Sequence, residues 1–509
     1  MSPEAFLPVL IILWSIQAAK SVLFWLYLWQ LKEYHLKRFI DHFRTEKGRR
    51  IILNPFRLIK IPLLFLALVS PIFWPLFFIY ALEAIFFFAK KGVKKPVPTV
   101  KIILLLTVNI TILPLVAGQL NIWLSNRTSL ALLITDILLP IIVSIIILSL
   151  QPLTVMLRQQ IINKAKAKRA NFKNLKVIGI TGSYGKTSTK EILKTILEQK
   201  FKILATKEHQ NSEIGISRCI LDELKSEHQV FICEMGAYDK GKIKEVTSIA
   251  QPQIGIVTGI NEQHLALFGS MENLMSAEGG LELAENLPQN GVMILNGDNE
   301  IIQNIHLRWT NRRLARYCST KKETDLWAKN IIIEKEALSF TVCDKAGDSA
   351  NLKINLIGRY NIENILLAAA TAEELGISLS EIAAACEKIK PEQGAIKLSR
   401  KEGGADIIDS SYSANPDGVL TALEHLKLWP GKKVIIMPCL IELGPAAKKV
   451  HEKIGSKIGQ ICDLAIITTK DWFEEIKKSA IKAEMKSENI VFLENREEII
   501  EKIKPFLQP

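Results

Sequence analysis

The tightest constraint on this chain is the segment Gly182-Ser183-Tyr184-Gly185-Lys186-Thr187-Ser188, set between the apolar run Val177-Ile178-Gly179-Ile180 and a helical pattern. A strand that breaks at glycines and reopens as a helix beginning Gly-Lys-Thr is a phosphate cradle. The loop amides and the helix N-terminus face anionic oxygens, which makes Gly182, Ser183, Gly185 and Ser188 nucleotide-binding candidates. Lys186 reaches the terminal phosphates, and the hydroxyl of Thr187 ligates magnesium. Only Ser183 and Tyr184 separate the two glycines, where the general loop has four residues. The reading is a site for a nucleoside triphosphate.

The net charge of +13 invites a nucleic-acid partner, but its distribution argues against one. Residues 1–170 hold 21 Lys/Arg against 6 Asp/Glu, so the remainder of the chain is slightly acidic. No basic stripe with interleaved aromatics occurs after that point, and nucleic acid is excluded as a partner.

The basic part is also the apolar part. Phe6–Trp29, Ile61–Ala89, Ile102–Leu124 and Leu130–Leu150 are each near or above the ~20 residues a helix needs to cross hydrocarbon. Apolar segments recur after the first, and no small-residue cleavage site stands out, so a signal peptide is not expected. Basic residues mark cytoplasmic loops. Lys37, Arg38, Arg44, Lys47, Arg49, Arg50, Arg57 and Lys60 lie before the second stretch, and Lys90, Lys91, Lys94, Lys95 and Lys101 lie after it. The turn between the third and fourth carries only Arg127, whereas Arg158, Lys164, Lys166, Lys168 and Arg169 follow the fourth.

Both ends of Ile61–Ala89 therefore read as inside, and Pro71 and Pro75 near its middle would break a straight helix. The expectation is a re-entrant or interfacial hairpin, with crossings at the first, third and fourth stretches. A simple four-span arrangement is the alternative. Either one makes this a multi-pass protein of the cytoplasmic membrane, in contact with membrane lipids, with everything after about residue 155 in the cytosol. Lys20 would face a protein or water interior, and Glu83 would reach the interface or pair with a lysine. The seven cysteines show no C-x-x-C spacing and read as reduced structural thiols.

From about Asn174 onward, short β-branched runs alternate with amphipathic stretches, the mark of a parallel α/β sheet. Val230–Cys233, Ile254–Val257 and Val292–Leu295 read as strands, and Glu191–Gln199, Asn273–Glu285 and Asn361–Leu375 as helices. Glu336–Ile357 reads as a β excursion. After a hinge at Ile389–Gly404, a small doubly wound unit follows. Its elements are strand Ile407–Ile408, helix Pro416–Leu426, strand Val434–Met437, helix Ala446–Ile461 and strand Leu464–Ile467.

Polar residues collect where the first unit's strands end: Glu234-Met235-Gly236, then Thr258-Gly259-Ile260-Asn261-Glu262-Gln263-His264, then Glu278, Glu282 and Asn296-Gly297-Asp298-Asn299. Ligands bind at that edge of an open α/β sheet. A loop threonine, a strand-end glutamate and a histidine there can hold magnesium against phosphates.

This order resembles the Mur ligase family of ATP-dependent amide ligases, and within it the branch that adds D-alanyl-D-alanine to a muramoyl tripeptide. The resemblance covers about residues 174–475. Thr181–Ser188 looks like the family's ATP loop and Asn211-Ser212-Glu213-Ile214-Gly215 like the loop beyond the first helix. Glu234 and His264 match magnesium positions. Gly358-Arg359-Tyr360-Asn361-Ile362-Glu363-Asn364 resembles the segment whose first Asn lies by the adenine. Asp409-Ser410-Ser411-Tyr412-Ser413-Ala414-Asn415-Pro416 resembles that branch's signature, and Glu442-Leu443-Gly444 with His451 its final motif.

The apolar stretches give a helical membrane domain (1–172), and the resemblance implies an ATP-binding central domain (173–392) and a smaller Rossmann-like C-terminal domain (393–509). It implies acyl-phosphate chemistry with ATP and Mg2+, in which Lys186, Glu234, His264 and Glu278 are catalytic. One ion falls to Thr187 and Glu234, and a second to His264 and Glu278. Asn296, Asn361 and Asp409 join the loop in holding the nucleotide, with Asp409 brought to the ribose by domain closure. The substrates are a muramoyl-peptide-like or lipid-linked acceptor and an amino acid or dipeptide.

Several positions depart from the pattern. Glu278 follows Ala277 where the family carries a carbamylated lysine, and its carboxylate supplies the same charge and donor atoms. Gly259 replaces an Asn, Tyr360 a His, Ala395 a hinge Arg, and Pro438-Cys439-Leu440 the usual Gly-Asp-Met. The family's UDP-binding domain is not recognisable. A folylpolyglutamate-type ligase, the amidating partner of a lipid-precursor amidotransferase and a non-catalytic scaffold are the competing readings.

Overall fold

The computed structural model describes residues 3–70, 72–89, 94–306, 314–393, 396–399, 405–411 and 414–506. Pro71, Lys90, Lys91, Ala395, Tyr412, Ser413 and part of the expected hinge lie outside these residues. The chain forms two compact units, Met1–Leu157 and Arg158–Pro509.

The first unit is helical: α1 (Pro3–Leu31), α2 (Leu36–His42), α3 (Glu46–Ile52), α4 (Pro55–Val69), α5 (Phe73–Ala89), α6 (Val100–Trp123) and α7 (Thr128–Ser149), with α8 (Gln151–Ala170) following. Three helical segments are long and apolar enough to cross a membrane: Ala5–Leu31, Val100–Trp123 and Thr128–Ala170. The second apolar stretch is a helical hairpin made of α4 and α5. Its tip (Val69, Ser70, Ile72 and Phe73) lines a cavity of about 380 Å³ with Leu7 and Asn126–Leu130. The tip therefore lies level with the start of α1 and the turn between α6 and α7. Pro75 does not break a helix; it sits in the first turn of α5, where no intrahelical N–H bond is lost.

One residue differs from the loop-charge reading. Lys60 is not a loop lysine but is 2% exposed within α4. Its Nζ lies 2.7 Å from Glu83 Oε2 of α5 and 2.6 Å from Asp136 Oδ2 of α7. Glu83 is thus paired with a lysine. Lys20, half-buried, sits 5.5 Å from the centre of the Phe87 ring.

The second unit is built on a nine-stranded sheet. Its strands are β1 (Lys176–Thr181), β2 (Ile203–Ala205), β3 (Val230–Glu234), β4 (Ile254–Val257), β5 (Val292–Asn296), β6 (Leu314–Ser319), β7 (Leu326–Ile333), β8 (Leu338–Asp344) and β9 (Ser349–Ile354). Their order is β2-β3-β1-β4-β5-β6-β7-β8-β9, parallel through β7 and antiparallel beyond it. The first strands carry near-continuous buried apolar runs because helices cover both faces of a parallel sheet. The β excursion begins earlier than its composition indicated, at Leu326, since β7 pairs with both the parallel body and the hairpin.

The covering helices are α9 (Lys186–Leu197), α10 (Glu213–Arg218), α11 (Lys242–Ala250), α12 (Leu265–Phe268), α13 (Met271–Ala277), α14 (Leu281–Glu285), α15 (Glu300–His306), α16 (Tyr360–Glu374) and α17 (Leu379–Cys386). The single helix expected over Asn273–Glu285 is two, α13 and α14. They are broken at Glu278–Gly280, where Gly280 adopts a φ of +82°. α9 starts several residues before its expected limit, directly at Lys186.

The last part holds β10 (Lys397–Ser399), β11 (Ile407–Asp409), α18 (Pro416–Leu426), β12 (Val434–Met437), α19 (Ala447–Ile461), β13 (Leu464–Ile467), α20 (Phe473–Lys482) and β14 (Ile490–Phe492). β12, β13 and β14 make a parallel three-stranded sheet. The strand expected at Ile407–Ile408 does not join it but forms an antiparallel ribbon with β10.

Candidate nucleotide and magnesium site

β1 lies between β3 and β4, in register such that Ile180 sits beside Glu234 and Thr181 beside Val257. The chain moves to one side of β1 for β2 and β3 and to the other for β4. This reversal opens a crevice at the strands' carboxyl ends. The phosphate loop occupies it.

Two glycines are required there. Gly182 has a φ of +140° and Gly185 one of +80°. A Cβ on Gly182 would overlap the Thr258 hydroxyl, and one on Gly185 would lie 2.6 Å from Asn364 Oδ1. The loop is fastened by Ser183 N donating to Gly259 O at 2.7 Å and by the Thr258 hydroxyl donating to Tyr184 O. Gly185 caps α9 with no side-chain bond, so the first-turn amides point into the crevice. Lys186 Nζ donates back to Gly182 O, within its own loop.

The four residues expected to hold magnesium come together as two pairs. Thr187 Oγ1 donates to Glu234 Oε2 at 3.1 Å, and His264 Nδ1 lies 3.0 Å from Glu278 Oε1. The other oxygen of Glu278 accepts from Ser183 Oγ at 2.6 Å, which ties the second pair to the phosphate loop. Glu278 is 2% exposed and Glu234 6%. Glu234 Oε1 accepts from Asn211 Nδ2 at 3.2 Å, and its amide donates to Thr206 Oγ1 at 3.0 Å. His264 takes a φ of +68° at the start of α12 and meets the Tyr238 ring edge-on at 5.6 Å. No group of three metal-ligating His, Cys, Asp or Glu side chains occurs among the described residues. The donor set is a hydroxyl, two carboxylates and an imidazole beside a cradle of amides. The hard oxygen donors suit magnesium, which keeps several waters and needs few protein ligands.

The expected nucleotide contacts divide. Asn296 is buried and donates to Thr258 O at 2.8 Å and to Glu363 Oε2 at 2.7 Å. Asn361 is fully buried, donates to Ile357 O at 2.7 Å and accepts from Asn364, which in turn accepts from Thr189 of α9 at 3.2 Å. Both border the loop through such partners. Asp409 does not. It is exposed on the β10–β11 ribbon and accepts from the Ser411 amide at 2.9 Å, a local Asx turn that also depresses its pKa. Glu282 is a structural cap, accepting from the Gly241 and Lys244 amides at 2.7 and 3.0 Å. His451 is fully buried, accepts from the Leu440 amide at 2.9 Å and stacks on Trp472.

Sequence reading missed a second network on the far side of the loop. Tyr184 packs on Gly259 so closely that a Cβ there would overlap the phenol ring. Burial raises the Tyr184 pKa well above its ordinary value, with Glu363 and Asp417 adding to the shift. Burial pushes Glu363 up to about 7, opposed by its Asn296 hydrogen bond and reinforced by Asp298 and Asp417. Asn261 donates to Asn415 at 3.2 Å and Asp417 at 3.0 Å, and Ala266 N to Glu442 O at 2.9 Å. These bonds seat the C-terminal part against the loop after β4. The available signal was the pairing of a bulky Tyr184 with a Gly where the family has Asn.

A phosphate loop at a sheet switch point, flanked by strand-end acid and histidine, defines a P-loop ligase architecture. Residues 180–372 match the Mur ligase middle domain and residues 396–509 the Mur ligase, glutamate ligase domain; the chain belongs to the Mur ligase family.

Among its relatives is the UDP-N-acetylmuramoyl-tripeptide--D-alanyl-D-alanine ligase of Escherichia coli (strain K12), 31% identical over 284 residues, 55% of this chain and 61% of that protein. The Bacillus subtilis (strain 168) enzyme of the same name is 27% identical over 285 residues, 56% of this chain and 60% of that one. The chain thus spans about three fifths of the curated relatives it matches. MurF from Acinetobacter baumannii superposes with a TM-score of 0.61 at 25% identity, covering 68% of this chain and 75% of that one. The MurF ligase of Thermotoga maritima, solved in complex with ADP, superposes at 0.57 with 24% identity, covering 68% and 77%.

Proposed function

We propose that this chain is an ATP- and magnesium-dependent amide ligase of cell-wall precursor synthesis. It would join D-alanyl-D-alanine, or a similar dipeptide or amino acid, to a muramoyl-peptide carboxylate. The observation that carries the reading is the placement of Thr187–Glu234 and His264–Glu278 on either side of one glycine loop, with Ser183 linking loop and second pair.

In this reading the acceptor carboxylate attacks the γ-phosphate of ATP, giving an acyl phosphate and ADP. The incoming amine then attacks the acyl carbon, so that an amide forms and phosphate leaves. Lys186 swings from Gly182 O to the γ-phosphate and, with the α9 amides, neutralises charge on the transferring group. Thr187 and Glu234 would hold one magnesium ion, and His264 and Glu278 the other. Bound magnesium supplies charge neutralisation on the phosphoryl oxygens. The Asn261 contacts to Asn415 and Asp417 hold the C-terminal part where it shields the acyl phosphate from water.

The helical unit lies outside the matched region and contains three membrane-capable helices. We infer from this a ligase held at the cytoplasmic membrane surface, with a lipid-linked muramoyl peptide as a second acceptor class beside a UDP-linked one. Detergent-purified protein given ATP, magnesium, D-alanyl-D-alanine and each acceptor should release phosphate and yield a product heavier by the dipeptide less water. No acceptor-dependent ADP from either class overturns the ligase reading. Turnover of one class alone decides the carrier.

A further inference from the structure

Lys190 is fully buried, one of two buried lysines among the described residues. It lies on α9 one turn beyond Lys186 and three residues beyond Thr187, so it shares their face of the helix. Its Nζ is 3.3 Å from Glu234 Oε2 and 3.2 Å from Glu191 Oε1, yet no hydrogen bond of acceptable geometry reaches it from the protein. A buried ammonium held by charge alone is costly and needs a reason.

The reason lies in which oxygen it faces. Glu234 Oε2 also accepts the Thr187 hydroxyl, while Asn211 occupies Oε1. Lys190 approaches Oε2 from the protein interior, and Thr187 sits at the mouth of the phosphate loop. Glu234 Oε2 is thereby held between the Lys190 ammonium and the Thr187 hydroxyl, while Asn211 fixes Oε1. Glu191, half-buried, is the second carboxylate on the same amine and reaches no phosphate-loop residue in any recorded bond.

We propose that Lys190 is a positioning residue for the magnesium held by Thr187 and Glu234: its fixed charge sets Glu234 Oε2 against the Thr187 hydroxyl, so that the two oxygens are preformed for a magnesium–nucleotide complex. This rests on the reading of the site as a magnesium–ATP site. The role does not involve contact with substrate.

The test measures binding, not turnover. Full-length protein in detergent is titrated with magnesium at fixed fluorescent N-methylanthraniloyl-ATP, and separately with that nucleotide in EDTA. Lys190→Met should raise the half-saturating magnesium concentration at least tenfold and leave the affinity in EDTA within twofold. Lys190→Arg should return the magnesium response to within threefold of wild type, and Glu191→Gln should leave it within twofold. If Lys190→Met does not fold, Lys190→Gln gives the same reading.

A magnesium response unchanged by the Lys190 variants overturns the role. So does a shift of equal size in Glu191→Gln, or an equal loss with and without magnesium, either of which marks a structural lysine. Wild-type protein that binds no nucleotide under either condition overturns the magnesium–ATP reading instead, a distinguishable result.

Discussion

His264, at the start of α12, and Glu278, at the break between α13 and α14, face each other at 3.0 Å, and the same glutamate takes the Ser183 hydroxyl at 2.6 Å. A carboxylate thus sits at the position where the family pattern calls for a carbamylated lysine, already bonded to the phosphate loop. Glu278→Gln keeps the size and removes the charge. It should lower acceptor-dependent turnover by about 100-fold or more, the scale of losing one electrostatic contact to a transferring group. Bicarbonate should not stimulate the wild type. Glu278→Lys should recover part of the loss only when bicarbonate is added. Full activity in Glu278→Gln, followed by phosphate release, would remove Glu278 from the mechanism.

Tyr184 and Gly259 form a matched pair, since the phenol fills the space a side chain at 259 would need. Gly259→Asn should therefore displace the phosphate loop and destabilise the protein by roughly 1–3 kcal/mol, the usual range for overpacking. Adding Tyr184→Ser should restore most of that, and Tyr184→Ser alone should be milder than Gly259→Asn. Thermal unfolding of the three variants checks it, and additive losses in the double variant would contradict the pairing.

How much of this could be read beforehand depends on the range of the interaction. Gly182, Gly185, Lys186 and Thr187 follow one another in sequence, so strand, turn and helix identify their work. Glu234 and His264 were placed by strand ends, a local signal repeated along the sheet. Asp409 was expected at the nucleotide, but its carboxylate is satisfied two residues away by Ser411. Lys190 is not singled out by the sequence, because nothing in its own helix shows that β3 delivers Glu234 against it. The break at Glu278–Gly280 was hidden by apolar spacing that suits either one helix or two.

Glu363 gives the site a pH dependence. Its carboxyl is pushed up to about 7 by burial, facing Asn296, Asp298, Asp417, Lys321 and Tyr184. The folded protein binds this proton more tightly than the unfolded chain. The stabilisation is fully present below the ordinary value of 4.5 and is lost as pH rises through about 7. The limit is roughly 3 kcal/mol. Wild type should lose Tm between pH 5.5 and 8.5 in excess of Glu363→Gln, in which this contribution is constant. Parallel Tm–pH curves for the two proteins would contradict it.

In the helical unit, Lys60 bridges Glu83 of α5 and Asp136 of α7 at 2.7 and 2.6 Å, and Tyr80 donates to Asp136 at 3.4 Å. All three charged groups are buried, so removing one of them should cost far more than removing all three. Lys60→Met leaves two carboxylates without their shared cation and should destabilise the unit by about 3–5 kcal/mol. Adding Glu83→Gln and Asp136→Asn removes the stranded charge and should recover most of that loss, because well-packed neutral replacements of a buried ion cluster are often tolerated. The measurement is thermal unfolding of the full chain in detergent, with proteolysis within the hairpin helices Pro55–Val69 and Phe73–Ala89 as a local readout. The node clamps the α4–α5 hairpin to α7, so Lys60→Met should expose the hairpin to protease and the triple variant should protect it again. Equal protection in all three proteins would mean that packing alone holds the hairpin.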